Sequence, residues 1–428
     1  MLATSTKKHL SPTVYYLLVG LLFAVLALLP LGHLAPQWMA GRSFSPMSLA
    51  TVHAFVLGTM LTTAYGVLYQ FIPIAFRAPP ISRHVLVWHL PAHVVGVVTM
   101  IIGFSISSYP LVGVGASALF VAFGLFSTLL VRSFVRAGNK TVVYQWLPIP
   151  LIALVLVLIC GLLQVFGVGE SSLFFTHVAL GGFLVWGAMV MILSYKLLPM
   201  FVISHGYVAS LQRTVSLYLG GSLLLMIGIW LAPVPAVANV CHVAGAVFMI
   251  LGLGSFSVDV AWIFAARRGK RLVWPMYDAL PALFGFVVGQ GWIVLGVGFG
   301  HGHWIDDGAF VYLFGGLLLL IFSLIQKIVP FLWFEYRFSQ RPERRTAPSI
   351  DAMVPTRLSQ LAIALYILGT VANLCFGLIA AARGDTAGKS GLCATGAWIA
   401  SIGMAVGALL LFISLLRVLR IGGRRPED

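Results

Sequence analysis

Charge is scarce in this chain. Only 9% of its 428 residues are Asp, Glu, Lys or Arg, where a soluble domain carries about 25%. Cysteine is rare too. Cys160, Cys241, Cys375 and Cys393 form no CxxC pair, which excludes a zinc ribbon or a thioredoxin-like motif, and no CxxCH is present to attach a haem covalently. Serine-nucleophile, phosphate-loop and HExxH patterns are absent. What is abundant is apolar: 60% of residues are hydrophobic and the mean hydropathy is +1.02. No soluble fold has enough interior to hide that much apolar surface, whereas a bilayer core requires no polar cover.

A span needs roughly 20 apolar residues. The sequence predicts twelve, at 13–34, 46–74, 86–108, 112–133, 147–167, 172–203, 214–232, 235–264, 275–298, 307–335, 358–382 and 392–418, in an all-α transmembrane domain covering 1–428. Lys7 and Lys8 precede an apolar run too long for a signal peptide and without a small-residue cleavage site, so the run is a first span. With both termini cytoplasmic, the outer loops hold only Arg42, Arg383 and Lys389 of the 26 basic residues. This positive-inside bias accounts for a net charge of +15 through topology and anionic lipid, and excludes nucleic acid as the partner.

Three spans end alike. Span 2 closes on Tyr69-Gln70-Phe71-Ile72-Pro73, span 6 on Tyr195-Lys196-Leu197-Leu198-Pro199, and span 10 on Gln326-Lys327-Ile328-Val329-Pro330. Four spans separate each proline from the next. The spacing predicts three pseudo-symmetric four-helix units, against the alternative that proline is simply common near inner helix ends. The 45 glycines, spread through the spans, are expected to permit close helix packing.

Eleven histidines in so apolar a chain are the main functional signal, because an ionisable group inside a span is a functional candidate. Ser45-Pro46 opens span 2, and His53 lies seven residues on, roughly 10 Å down the helix. His177 is five to six residues into span 6, and His242 seven residues past Pro235 in span 8. All three are expected in the outer third of the membrane. Neutral imidazole ligates haem iron and copper, and axial haem ligands must come from different helices. The plainer reading is a buried histidine bonded to a carbonyl or a water. His301-Gly302-His303, beside Asp306 and Asp307, is a possible copper or zinc site or a solvated loop. His89 and His93 share one helix face and cannot clamp a haem from both sides. Asp259, Lys196 and Lys327 form a candidate proton path, the competing reading being lysines that snorkel to the interface.

Twelve spans, three units and histidines high on spans 2 and 6 resemble subunit I of the haem–copper oxidase superfamily, which includes the nitric oxide reductases. Lys8-His9-Leu10-Ser11 is similar to that family's opening, and Thr51-Val52-His53-Ala54-Phe55 with Met60, Gly66 and Pro73 to its span 2. The resemblance implies that His53 is an axial ligand of a low-spin haem. It places His177 where the family carries a copper-ligand histidine, and His301-Gly302-His303-Trp304 against the His-x-His that serves one histidine to each haem. It also implies a bacterial inner membrane and a separate electron-donor protein or small subunit. The chain departs from the pattern in three ways. Span 7 has no histidine pair, Gly181 stands where a tyrosine would follow His177, and Gly308 to Phe310, not the histidines, are level with the ligands of spans 2 and 6. The segments 57–76, 195–207 and 327–334 resemble a divergent oxidase-like branch of bacterial membrane proteins. The expected function is haem binding with electron transfer or oxygen or nitric oxide chemistry. The alternatives are a copper- or nitric-oxide-response protein without turnover, and a transporter.

Overall fold

The computed structural model describes residues 11–269, 272–338, 347–384 and 391–422. Residues 8–10 of the opening motif, the basic residues Lys7, Lys270, Arg271, Arg341, Arg344, Arg345, Arg424 and Arg425, and Lys389 lie outside them. Among the described residues there is no strand, only an isolated bridge between Ser204 and Arg267.

Eleven helices are long and apolar enough to cross a membrane. They are α2 (Pro46–Phe76), α3 (Arg83–Ser105), α4 (Tyr109–Val135), α5 (Val142–Val165), α6 (Ser171–Val202), α7 (Leu211–Trp230), α8 (Pro235–Ala265), α9 (Trp274–Phe299), α10 (Gly302–Arg337), α11 (Thr356–Ala382) and α12 (Gly391–Val418). The twelfth, α1, is broken: Thr13–Leu28 meets Leu31–Met39 at 64°. Pro30 sits at the break, where its missing N–H and its ring disrupt the helical ladder. The first span is therefore a bent pair and not the straight helix expected over 13–34.

The predicted repeat has a physical signature. α2, α6 and α10 each carry a π-helical stretch of 8 residues, Ala54–Leu61, Leu180–Gly187 and Val311–Leu318. Each stretch begins nineteen residues before its proline, Pro73, Pro199 or Pro330. A π turn lifts carbonyls out of the regular i→i−4 ladder, and in lipid no water takes their place. In all three helices the carbonyl sixteen residues before the proline accepts a bond from the following helix. Leu57 O receives His93 Nε2 of α3 at 3.2 Å, Phe183 O receives Tyr218 Oη of α7 at 3.2 Å, and Phe314 O receives Tyr366 Oη of α11 at 2.6 Å. These donors occupy matching helices of the three units. α2 and α6 also terminate identically, on left-handed Arg77 and Ile203 whose N–H groups reach back to Pro73 O and Pro199 O.

The most extensive helix pairs are α9 with α10, α11 with α12 and α7 with α8. In α7 and α8, Gly221 and Gly245 bring the two backbones together, since a Cβ on either would fall within 3 Å of the opposite main chain. The helices around the rim present bare aliphatic side chains, Val121 being 72% exposed, a surface suited to acyl chains and not to water.

The caps give a direct test. Tyr366 is fully buried, so Tyr366→Phe leaves the Phe314 carbonyl without its donor. A loss of about 1–2 kcal/mol is expected. Thermal unfolding in detergent reads it, and an unchanged melting temperature would rule out the cap as a stabilising contact.

Candidate functional site

His53 is the last residue before the first π stretch, and His177 lies one turn above the second. The structure brings these two together. Their ring centroids are 6.4 Å apart and their planes are inclined by only 25°. Neither ring is free to turn. His53 Nδ1 donates to Leu49 O at 2.7 Å, one turn back on its own helix, and His177 Nδ1 donates to Val157 O of α5 at 2.9 Å. A carbonyl only accepts, so each Nδ1 carries the proton and each Nε2 keeps a lone pair. Both imidazoles are thereby held as neutral, ligand-ready tautomers. Phe104 of α3 lies against the His53 ring with centroids 4.7 Å apart. Gly161 of α5 leaves room for His177, because a Cβ there would lie 3.2 Å from its Cε1. One turn below His177, a Cβ on Gly181 or Gly182 would meet nothing within 4 Å, so this part of α6 presents open space.

Two other interhelical spaces are filled. Between α6, α7, α9 and α10, Tyr218 Oη bonds to Phe183 O and to Gln290, and Tyr312 Oη donates to Gly182 O at 2.7 Å. Tyr218 and Gln290 are fully buried, and Tyr312 is nearly so. Gly187 has no side chain because Tyr218 Oη lies where its Cβ would be. Between α2 and α10, Phe55, Phe310 and Phe314 pack with Trp38, with ring centroids 5.2–6.1 Å apart. Trp38 is pinned there by its bond to Ser48 Oγ.

One solved structure that the chain resembles is a cryo-EM structure of a haem–copper terminal oxidase dimer. The likeness has a TM-score of 0.66, covers 97% of this chain and 85% of that one, and comes with 13% sequence identity. The chain has a haem–copper oxidase fold. No family model matches it, and no curated protein matches it. At this identity the likeness speaks for the fold. The histidines were placed by resemblance at an axial position on α2 and a copper position on α6. In the structure both face the space between α2, α3, α5 and α6.

The remaining sequence candidates lie apart from this pair. His242 rides over Gly228 in the α7–α8 seam. His301 and His303 are exposed at the start of α10, with their rings tilted against each other and against Trp304. No group of three or more His, Cys, Asp or Glu suited to a metal ion occurs among the described residues. His89 Nε2 bonds to Ala122 O and its Nδ1 faces Tyr16 and Tyr69, while His93 caps the first π stretch, so both serve the packing of α1 to α4. Lys327 pairs with Asp351, a residue outside the spans. Lys196 makes no ion pair among the described residues. Asp259, 1% exposed, accepts from Tyr195 Oη, Thr214 Oγ1, Ser210 N and Arg213 at 3.1 Å, joining α6, α7 and α8. Among the described residues, no direct hydrogen bond joins Asp259, Lys196 and Lys327 to one another.

Asp259 is the shared acceptor and Arg213 only one of its donors, half-exposed to solvent. An exposed partner contributes about 0–1 kcal/mol, whereas removing the buried carboxylate strands three further donors. Asp259→Ala is therefore expected to lower the melting temperature several degrees more than Arg213→Ala. Equal losses would show that the ion pair alone holds the three helices.

Proposed function

We propose that this protein binds haem within the membrane through His53 and His177 and passes electrons through it. The observation that carries the reading is the pair of neighbouring, near-parallel imidazoles whose Nδ1 atoms are both engaged by carbonyls. Metal–imidazole bonds of about 2.0 Å place opposed ring centroids about 6 Å apart, close to the 6.4 Å seen. Two nitrogens are too few for a bare metal ion, which favours four or more ligands. A porphyrin supplies the missing four in its own plane, and the open side of α6 at Gly181 and Gly182 leaves space for a flat ring. This favours haem over copper at the pair.

Bound haem supplies reversible one-electron chemistry. The protein's part is to hold the two ligand nitrogens, keep their Nδ1 protons on Leu49 and Val157, and exclude water with Phe104 and the surrounding apolar helices. The basic bias supports a bacterial plasma membrane with cytoplasmic termini and the pair in the outer half. The electron donor is then a separate chain or small subunit meeting the outer surface, since the sequence has no covalent haem motif of its own.

The test is an oxidised and dithionite-reduced absorption spectrum of the detergent-purified protein, with metal analysis of the same sample. A low-spin haem spectrum is expected, lost in His53→Ala and in His177→Ala and kept in His242→Ala and His301→Ala. Haem that survives removal of either His53 or His177 at full stoichiometry would place it elsewhere, and copper without haem would convert the pair to a metal-ion site.

A further inference from the structure

We infer that this chain carries one haem and no gas-reducing centre, because the two spaces that the oxidase pattern gives to its haems and copper are closed by side chains of its own. The count of one rests on the His53–His177 reading; the closure does not.

The first closed space lies between α6, α7 and α10, where the family pattern brings a copper-ligand histidine on span 6, a histidine pair on span 7 and a haem ligand on span 10. Here α7 has no histidine, and Gly308 to Phe310 stand at the ligand level of α10. The absence of ligands is matched by an absence of room. Tyr218 reaches from α7 to Phe183 O, and Tyr312 from α10 to Gly182 O, so neighbouring helices touch α6 directly across the gap. Any group lying between them would have to break both bonds and strand two carbonyls.

The polar groups of the plug converge on Tyr218. Tyr218 has one proton but two acceptors in reach, Phe183 O and Gln290 Oε1, while Gln290 Nε2 is buried with no acceptor. Tyr218 therefore serves one acceptor at a time, and the seal rests on its reach to Phe183 O and on that of Tyr312 to Gly182 O. Phe286, ring centroid 5.7 Å from Tyr312, covers the network from α9.

The second closed space lies between α2 and α10. A haem there needs the α2 histidine to face α10. His53 instead faces α3 and α6, and Phe55, two residues on and so on the other side of the helix, takes the α10 side. Phe55, Phe310 and Phe314 are all fully buried there.

The experiment uses the full-length purified protein, reduced with dithionite and then exposed to carbon monoxide, with haem quantified per chain. One haem per chain and a spectrum that carbon monoxide leaves unchanged are expected, since both axial positions are held by histidine. A second haem, or a carbon monoxide-shifted species, would overturn the inference while leaving the His53–His177 reading standing. A preparation without haem would overturn the count and that reading together. Closure has its own readout in Tyr218→Phe and Tyr312→Phe. Both are expected to lower the melting temperature with haem content and spectrum unchanged. A twofold change in haem content in either variant, or no change in melting temperature in both, would show that these tyrosines do not seal the space.

Discussion

A carbonyl without a donor is the constraint around which this molecule is arranged. In water a π turn costs little, because solvent bonds whatever the ladder releases. In hydrocarbon each released carbonyl must be met by a side chain, and the side chain must come from a helix already alongside. Three π stretches therefore dictate three donors, His93, Tyr218 and Tyr366, each on the helix that follows. That requirement fixes the position of α3 against α2, α7 against α6 and α11 against α10. The pseudo-symmetry of the fold is thus visible in bonds as well as in topology.

The same chemistry sets up the histidine pair. His53 and His177 satisfy carbonyls with one ring nitrogen, as His93 does, but their rings lie side by side with centroids 6.4 Å apart and each keeps Nε2 off that bond. Each carbonyl contributes twice, locking the ring's orientation and drawing the proton of the neutral ring to Nδ1, away from Nε2. Neighbouring residues act by size. Gly161 makes way for one ring and Phe104 braces the other. His242 lies against Gly228, and His301 lies against Trp304 and His303 at the exposed start of α10.

Much of this was legible in the sequence. The spans, their number and the repeat followed from hydropathy and from the proline endings. The equal depth of His53 and His177 followed from counting residues after each helix start. Their direction did not follow, because a ring's facing depends on helix rotation, and a π stretch shifts rotation by an amount that hydropathy does not encode. Tyr218, Gln290 and Tyr312 were missed for a related reason. An isolated tyrosine in an apolar helix looks like any aromatic core residue. A usable signal was the register: Tyr218 lies 19 residues after Pro199, and His93 lies 20 after Pro73. The break in α1 was also readable, since Pro30 stands inside the first apolar run.

A fold of this kind and a cofactor centre depend on different atoms. Helix positions depend on backbone carbonyls and their donors, and a tyrosine serves that purpose as well as a histidine does. His93 and Tyr218 demonstrate the equivalence within one chain, since they cap matching carbonyls of two units. A cofactor centre depends instead on a few ligand side chains and on empty volume. Once the ligands are gone, an empty cavity among apolar helices loses packing contacts, by about 24 cal/mol for each Å³ left unfilled. Large aromatics such as Tyr218, Tyr312, Phe310 and Phe314 are what such a space accepts most readily, provided their hydroxyls reach a carbonyl. Between the first and second units the histidines His53 and His177 remain, and there α6 keeps its bare glycine face.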